Sequence, residues 1–201
     1  MADAGGTRNH QNGNGDSIIP GSSGTGNSVR KRDGDPFETR EISGRIRVRS
    51  AIVLVGGEGR RVNGMEKYFF TYLGKTFIER LIDSLQPAVD EIVLVAKSEE
   101  HCERFSHLAG VRCVHDIRKG IGPIGGLHAG VRASRGDLLF VCACDMPCID
   151  TRVVSALFDA LGEFDAAIPS WDAEMLEPLH AVYRKEPLER YLDNPPSLSL
   201  R

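Results

Sequence analysis

The chain has 201 residues, a formal net charge of −3 and a sequence pI near 6.1. That length suits one ordinary domain, and the acidic balance excludes bulk binding to nucleic acid, which needs a basic face. No apolar run approaches the roughly 18 residues of a membrane span, and the N-terminus lacks the apolar core of a signal peptide.

Residues 1–45 are rich in Gly, Ser, Asn, Asp and Arg, with isolated apolar residues and no period. They read as a disordered leader ahead of a domain at 46–201. Ala51–Val55 is a continuous apolar strand of the kind buried on both faces. It runs into a loop dense in Gly and Arg, Gly56-Gly57-Glu-Gly-Arg60-Arg61, which Lys67 closes. Tyr68–Leu73 extends again and turns at Gly74-Lys75. Thr76 and Glu79 have capping-box spacing, and Phe77, Ile78, Leu81, Ile82 and Leu85 stripe the helix that follows until Pro87. Ile92–Ala96 is a second buried strand, and Ser98 caps a polar helix expected to reach about His107. Val111–Val114 is a short strand ending at Asp116. A second Gly-rich loop, Gly122-Pro123-Ile-Gly125-Gly126, opens a helix to about Ser134. Leu138–Ala143 is a third long apolar strand and leads to Asp145-Met-Pro147. Val153, Val154, Leu157, Phe158 and Leu161 stripe another helix. Ala166–Pro169 and Leu179–Tyr183 read as strands, with a last helix through Leu192. Strands alternating with helices predict βαβ units, a mostly parallel sheet and an α/β fold, with the functional loops past the strands' carboxyl ends.

Strand, Gly-rich loop and basic residues in that order suit a nucleoside triphosphate. Glycines let backbone N–H groups approach phosphates, while Arg and Lys add charge as a fork and as a point. The loop lacks the Gly-Lys-Ser/Thr ending of a Walker A loop. The plain alternative is a tight turn with a solvated basic rim. Asp145, just past a strand end, suits a Mg²⁺ ligand, because Mg²⁺ takes one or two carboxylates and completes its shell with substrate phosphates and water. Alone, Asp145 would equally serve as an N-cap. Asp116 reads either as a nucleotide contact or as a solvated turn residue. The backbone at Gly125 offers a surface for a base, a ribose or an anion at a helix start, or is a simple loop–helix junction. His128 and His180 are assigned no catalytic role. Trp171 either stacks on a flat ligand or anchors its loop. Among the five cysteines, Cys142, Cys144 and Cys148 crowd together. They read as reduced thiols, and a cytoplasmic home is expected.

Together these motifs resemble those of the molybdenum cofactor guanylyltransferases. Leu54-Val55-Gly56-Gly57 with Arg61 and Lys67 resembles the family's first loop, and Gly122-Pro-Ile-Gly125-Gly126 its second. Cys144-Asp145-Met-Pro147 resembles its Cys-Asp-x-Pro, and Glu177-Pro-Leu-His-Ala-Val-Tyr183 its Gln-Pro-Leu-x-Ala-x-Tyr. The resemblance implies a three-layer α/β/α sandwich of the nucleotide-diphospho-sugar transferase type. It also implies GMP transfer from GTP to molybdopterin-bound molybdenum, with Mg²⁺ as cofactor and pyrophosphate released. Leu54, Val55, Gly56 and Gly57 would lie under guanine and ribose. Arg61 and Lys67 would hold the triphosphate, Asp116 would help bind the nucleotide, and Asp145 would hold the metal. Molybdoenzyme assembly proteins are the partners it suggests. Glu66 stands where the family usually has Asp, and Val95 where an Asn occurs in relatives. The family pattern continues beyond Ser199-Leu-Arg201 with another strand and helix, so a C-terminally shortened fold is expected. Two other readings remain: a nucleotidyltransferase of this fold with a different phosphorylated acceptor, and a truncated, nucleotide-binding non-enzyme.

Overall fold

The computed structural model describes residues 47–55, 66–116, 122–146, 148–171 and 175–196. The leader expected at 1–45 and the end of the chain lie outside them. Strand β1 (Arg49–Leu54) is followed, after residues outside the description, by a single 3-10 turn at Lys67–Phe69. Extended backbone expected from Tyr68 is therefore confined to β2 (Thr71–Tyr72), which pairs with β3 (Lys75–Thr76) across a Leu73-Gly74 turn. The cause is local: the Phe69 N–H bonds back to the Glu66 carbonyl and winds the chain. Helix α1 (Phe77–Leu85) starts at Thr76 with the expected reciprocal capping box to Glu79. Strand β4 (Glu91–Ala96) and helix α2 (Glu99–Glu103) follow. Helix α2 is capped by Ser98 as expected but stops short of His107, because the next N–H groups bond three residues back in successive turns. Then come β5 (Val111–His115), α3 (Pro123–Ala133), β6 (Leu138–Ala143) and α4 (Thr151–Ala160). Strand β7 (Ala166–Ala167) is shorter than the expected Ala166–Pro169, and β8 (His180–Arg184) runs into α5 (Lys185–Asp193).

The main sheet has six strands in the order β5-β4-β1-β6-β8-β7. β5, β4, β1 and β6 are mutually parallel, whereas β8 runs antiparallel to β6 and β7 antiparallel to β8. Side chains alternate across the sheet. Ala51, Val53, Leu94 and Phe140 face α1, α4 and Phe105, which follows α2, in one core layer. Ile52, Leu54, Val95 and Val141 face α3 and α5 in the other. This is the three-layer α/β/α sandwich the motifs implied.

Two contacts set the height of α3 over the sheet. A Cβ at Gly130 would fall 2.6 Å from Cγ2 of Ile52 and 2.9 Å from Cγ2 of Val95, so the helix rests directly on β1 and β4. In the same stretch of the helix, His128 and Arg132 meet Asp193 of α5: His128 Nε2 lies 3.0 Å from Asp193 Oδ1, which also accepts from Arg132 at 3.0 Å. Glu91, the first residue of β4, ties that strand to β1, to β5 and to the segment before β6. Its carboxylate accepts from the Ser50 hydroxyl at 2.8 Å, the Arg112 guanidinium at 2.6 Å and the Arg135 N–H at 2.8 Å. Burial pulls that carboxyl's pKa up, but these donors outweigh it and hold the group ionised below its usual range. Among the described residues no helix is long and apolar enough to cross a membrane.

Candidate active site

The chain leaves β1 toward β4 and β5 on one side and returns to place β6 on the other. The carboxyl ends of β1 and β6 therefore mark the point where the winding reverses, which is where open α/β sheets bind ligands. In chain order the first Gly-rich loop follows β1, and the Asp145 turn follows β6. Leu54, the last residue of β1, accepts a hydrogen bond at 3.1 Å from the N–H of Cys144, the residue before Asp145. On the other side Val55 donates to the Val95 carbonyl at 2.9 Å, and Asp116 to the Ala96 carbonyl at 3.0 Å. Backbone bonds thus extend the parallel ladder just past the strands and hold Leu54, Val55, Asp116 and the Cys144-Asp145 turn along one edge. Asp145 is exposed, as a ligand-facing carboxylate must be.

Gly56, Gly57 and Arg61 lie outside the described residues, as does Pro147. Lys67 is placed by its backbone in the short 3-10 turn. At the second loop, Gly122 has φ 66° and ψ −152°, a conformation essentially restricted to glycine, and Pro123 takes the first helical position. Gly125 is buried, and its N–H bonds to the Gly122 carbonyl at 3.3 Å. The helix start faces the same sheet edge, because α3 follows the carboxyl end of β5.

Sequence reading missed one cluster altogether. Glu66, Tyr68, His101 and Arg104 converge beside the backbone of Lys67. The Tyr68 hydroxyl bonds to both Glu66 and His101 Nε2, and Arg104 donates to Glu66 Oε2 at 2.6 Å. The Lys97 N–H approaches His101 Nδ1 at 3.3 Å. Nδ1 must then accept, which assigns the ring proton to Nε2. Tyr68 and His101 sit among Phe69 and Phe105. No spacing rule links residue 68 to residue 101, so only the fold reveals the group. Burial lowers the His101 pKa from its ordinary 6.5, partly offset by Glu66. Burial raises the Glu66 carboxyl, but the Tyr68 hydrogen bond and the Arg104 charge help bring it below its usual range.

Both shifts act in the same direction on stability. An unfolded chain takes up a proton at His101 as pH falls through about 6.5, and at Glu66 near 4.3, while the folded chain resists each. The unfolded state thus binds more protons in those windows, and stability falls with pH. We expect the melting temperature to drop progressively from pH 7 to pH 5, and the drop above pH 5.5 to shrink in His101→Gln. A wild-type melting temperature that stays flat over that range would contradict the neutral, buried imidazole.

The remaining side chains sort plainly. His128 is buried in the α3–α5 contact, and His180 packs edge-on to Phe140 at 5.3 Å. Trp171 is 79% exposed, so it is not a buried anchor. Cys142, Cys144 and Cys148 are free thiols, as expected, and burial together with the Asp145 and Glu66 charges pushes Cys144 up to about 12. It is an inert thiol at neutral pH. Cys102 and Cys113, in α2 and β5, form a disulfide that the sequence spacing did not suggest. Among the described residues no group of three or more His, Cys, Asp and Glu could hold a metal ion. Mg²⁺ asks less of a protein, one or two carboxylates completed by phosphate and water oxygens, and the exposed Asp145 is a donor of that kind.

Comparison with known proteins bears on the family and the fold. A probable molybdenum cofactor guanylyltransferase of Methanosarcina acetivorans is 40% identical over 152 residues, covering 72% of this chain and 68% of that relative. The crystal structure of molybdopterin-guanine dinucleotide biosynthesis protein A from Archaeoglobus fulgidus superposes with a TM-score of 0.56 at 35% identity, covering 71% of this chain and 72% of that one. A nucleotidyl transferase from Methanothermobacter shares the fold, with a TM-score of 0.58 at 23% identity over 73% of this chain and 76% of that one. The family of the MobA-like NTP transferase domain matches residues 51–196, a span running from the first site strand to the last helix, and the chain belongs to that family.

Proposed function

We propose that this nucleotidyltransferase moves GMP from GTP onto the terminal phosphate of molybdopterin-bound molybdenum and releases pyrophosphate. The observation that carries the reading is the meeting of β1 and β6 at the reversal point, which seats Asp145 beside the strand end that delivers the Gly-rich loop. The name of the Methanosarcina relative supports the guanylyl donor and the molybdenum cofactor acceptor.

In this reaction an oxygen of the acceptor phosphate attacks the α-phosphorus of GTP. A new P–O bond forms as the bond to the bridging oxygen breaks, and the electron pair leaves with pyrophosphate. The acceptor supplies its own nucleophile, so the protein's task is positioning and charge neutralisation. Leu54 to Gly57 lie under guanine and ribose, and Asp116 adds a nucleotide contact. Lys67 and Arg61 balance charge on the α-phosphate and the leaving group. Asp145 holds Mg²⁺, which when bound neutralises developing phosphate charge as a Lewis acid.

Thermal-shift titration of the chain with GTP, CTP, ATP and UTP, each with and without Mg²⁺, tests the donor assignment. A ligand that binds the native state raises its melting temperature, by about 2.7 kcal/mol of stabilisation at a concentration of 100 Kd. We expect a Mg²⁺-dependent rise with GTP alone. Preference for CTP or UTP defeats the guanylyl reading in favour of another nucleotidyltransferase. GTP binding without transfer to molybdenum cofactor identifies a nucleotide-binding protein without turnover.

A further inference from the structure

We propose that the Glu66–Tyr68–His101 chain is a positioning device for Lys67, clamping the backbone on both sides of that lysine to the start of α2. The inference rests on the reading above, in which Lys67 meets the nucleotide's phosphates.

Glu66 and Tyr68 flank Lys67, and their side chains reach the same partners. Tyr68 donates its hydroxyl proton to the Glu66 carboxylate and accepts from His101 Nε2, whose other ring nitrogen takes the Lys97 N–H. Arg104 closes the group with its 2.6 Å bond to Glu66. His101 is itself fixed, because its N–H bonds to the Ser98 cap at 3.2 Å. Three segments are thereby joined: the turn carrying Lys67, the residues leaving β4, and the first turn of α2. Tyr68 and His101 are 6% and 7% exposed, so the chain is shielded from water.

Stability alone is a poor account of this cluster. A phenol and an imidazole buried against a half-buried carboxylate gain little over apolar side chains of the same volume. What they add is direction: each bond fixes an angle, and the fixed object is the backbone of a lysine, a residue type that supplies a point charge. A charge placed in advance acts without reorganisation when phosphate charge develops.

A double-mutant cycle separates this role from a merely structural one, because groups acting through each other are non-additive. The full-length chain is titrated with GTP and Mg²⁺ by calorimetry as wild type, Tyr68→Phe, Lys67→Ala and the double variant. We expect Tyr68→Phe to weaken GTP binding about 5- to 10-fold in the wild type but less than about twofold once Lys67 is gone. Equal losses in both backgrounds overturn the proposal. Where Tyr68→Phe fails to fold, Glu66→Ala takes its place, with Glu66→Gln expected to rescue binding because its amide oxygen still accepts the Tyr68 hydroxyl. Failure of Gln to rescue also overturns it. Binding of another nucleotide in place of GTP removes the guanylyl reading, while the same cycle run with that nucleotide still decides the role of Tyr68. No binding of any nucleoside triphosphate removes both.

Discussion

Asp145→Ala and Lys67→Ala are each expected to eliminate measurable guanylyl transfer while leaving the protein folded. Removing one preorganised charge-stabilising group costs about 10²–10³ in kcat, and loss of a metal ligand forfeits the ion's charge as well. Asp145 is exposed on a turn, where substitutions alter stability by about 0.5 kcal/mol or less. Steady-state transfer assays on both variants, with melting temperatures recorded on the same samples, check the expectation. Turnover near the wild-type rate in either variant would refute the assignment of that residue. A large fall in melting temperature would reassign its role to folding.

Phe140→Ala is expected to have the largest effect on stability. Phe140 lies in the middle of β6, is fully buried, pairs across the ladder with Ala51 and Val182, and meets the His180 ring edge-on. Truncating a buried Phe to Ala loses transfer free energy and leaves a cavity, together about 3–5 kcal/mol. For a domain of this size each kcal/mol moves the melting temperature by about 2–4 °C, so a drop of roughly 6–20 °C follows. Urea unfolding should show a lower midpoint at unchanged slope, the mark of lost stability without altered compactness. A loss below about 1 kcal/mol would mean that β6 is not the core strand its burial indicates. Because β6 leads into Cys144-Asp145, residual activity measured at low temperature also reports how far the cavity loosens the turn that carries Asp145.

Long apolar runs were the legible part of the sequence. Strands β4 and β6 are buried on both faces, so nearly every residue in them is apolar and their limits are sharp. The capping box at Thr76 and the cap at Ser98 were equally plain, because a helix start needs an oxygen at a fixed spacing. Ends governed by turn geometry were not: α2 stops before His107, and Tyr68 enters a 3-10 turn instead of a strand, both through backbone bonds that no side chain announces. The edge strand β7 was overestimated, since alanines next to a proline carry little pattern. At the site, Asp145 and Asp116 were visible as carboxylates past strand ends. The Tyr68–His101 pairing joins residues 33 positions apart, which only the βαβ crossing brings together, and the Cys102–Cys113 bond depends on how α2 folds back on the next strand.

The bare Cα of Gly130 also governs a distant part of the molecule. It lies seven residues beyond Pro123, or about 10 Å along the helix at 1.5 Å per residue. Ile52 and Val95 are β-branched and cannot swing aside readily, so a methyl group at 130 would tilt α3 away from β1 and β4 instead of being absorbed. The tilt would be transmitted along a rigid rod to Gly122, lifting the second loop from the edge where Leu54 and Asp116 sit. A side chain at residue 130 is therefore expected to displace the start of α3 from two helical turns away.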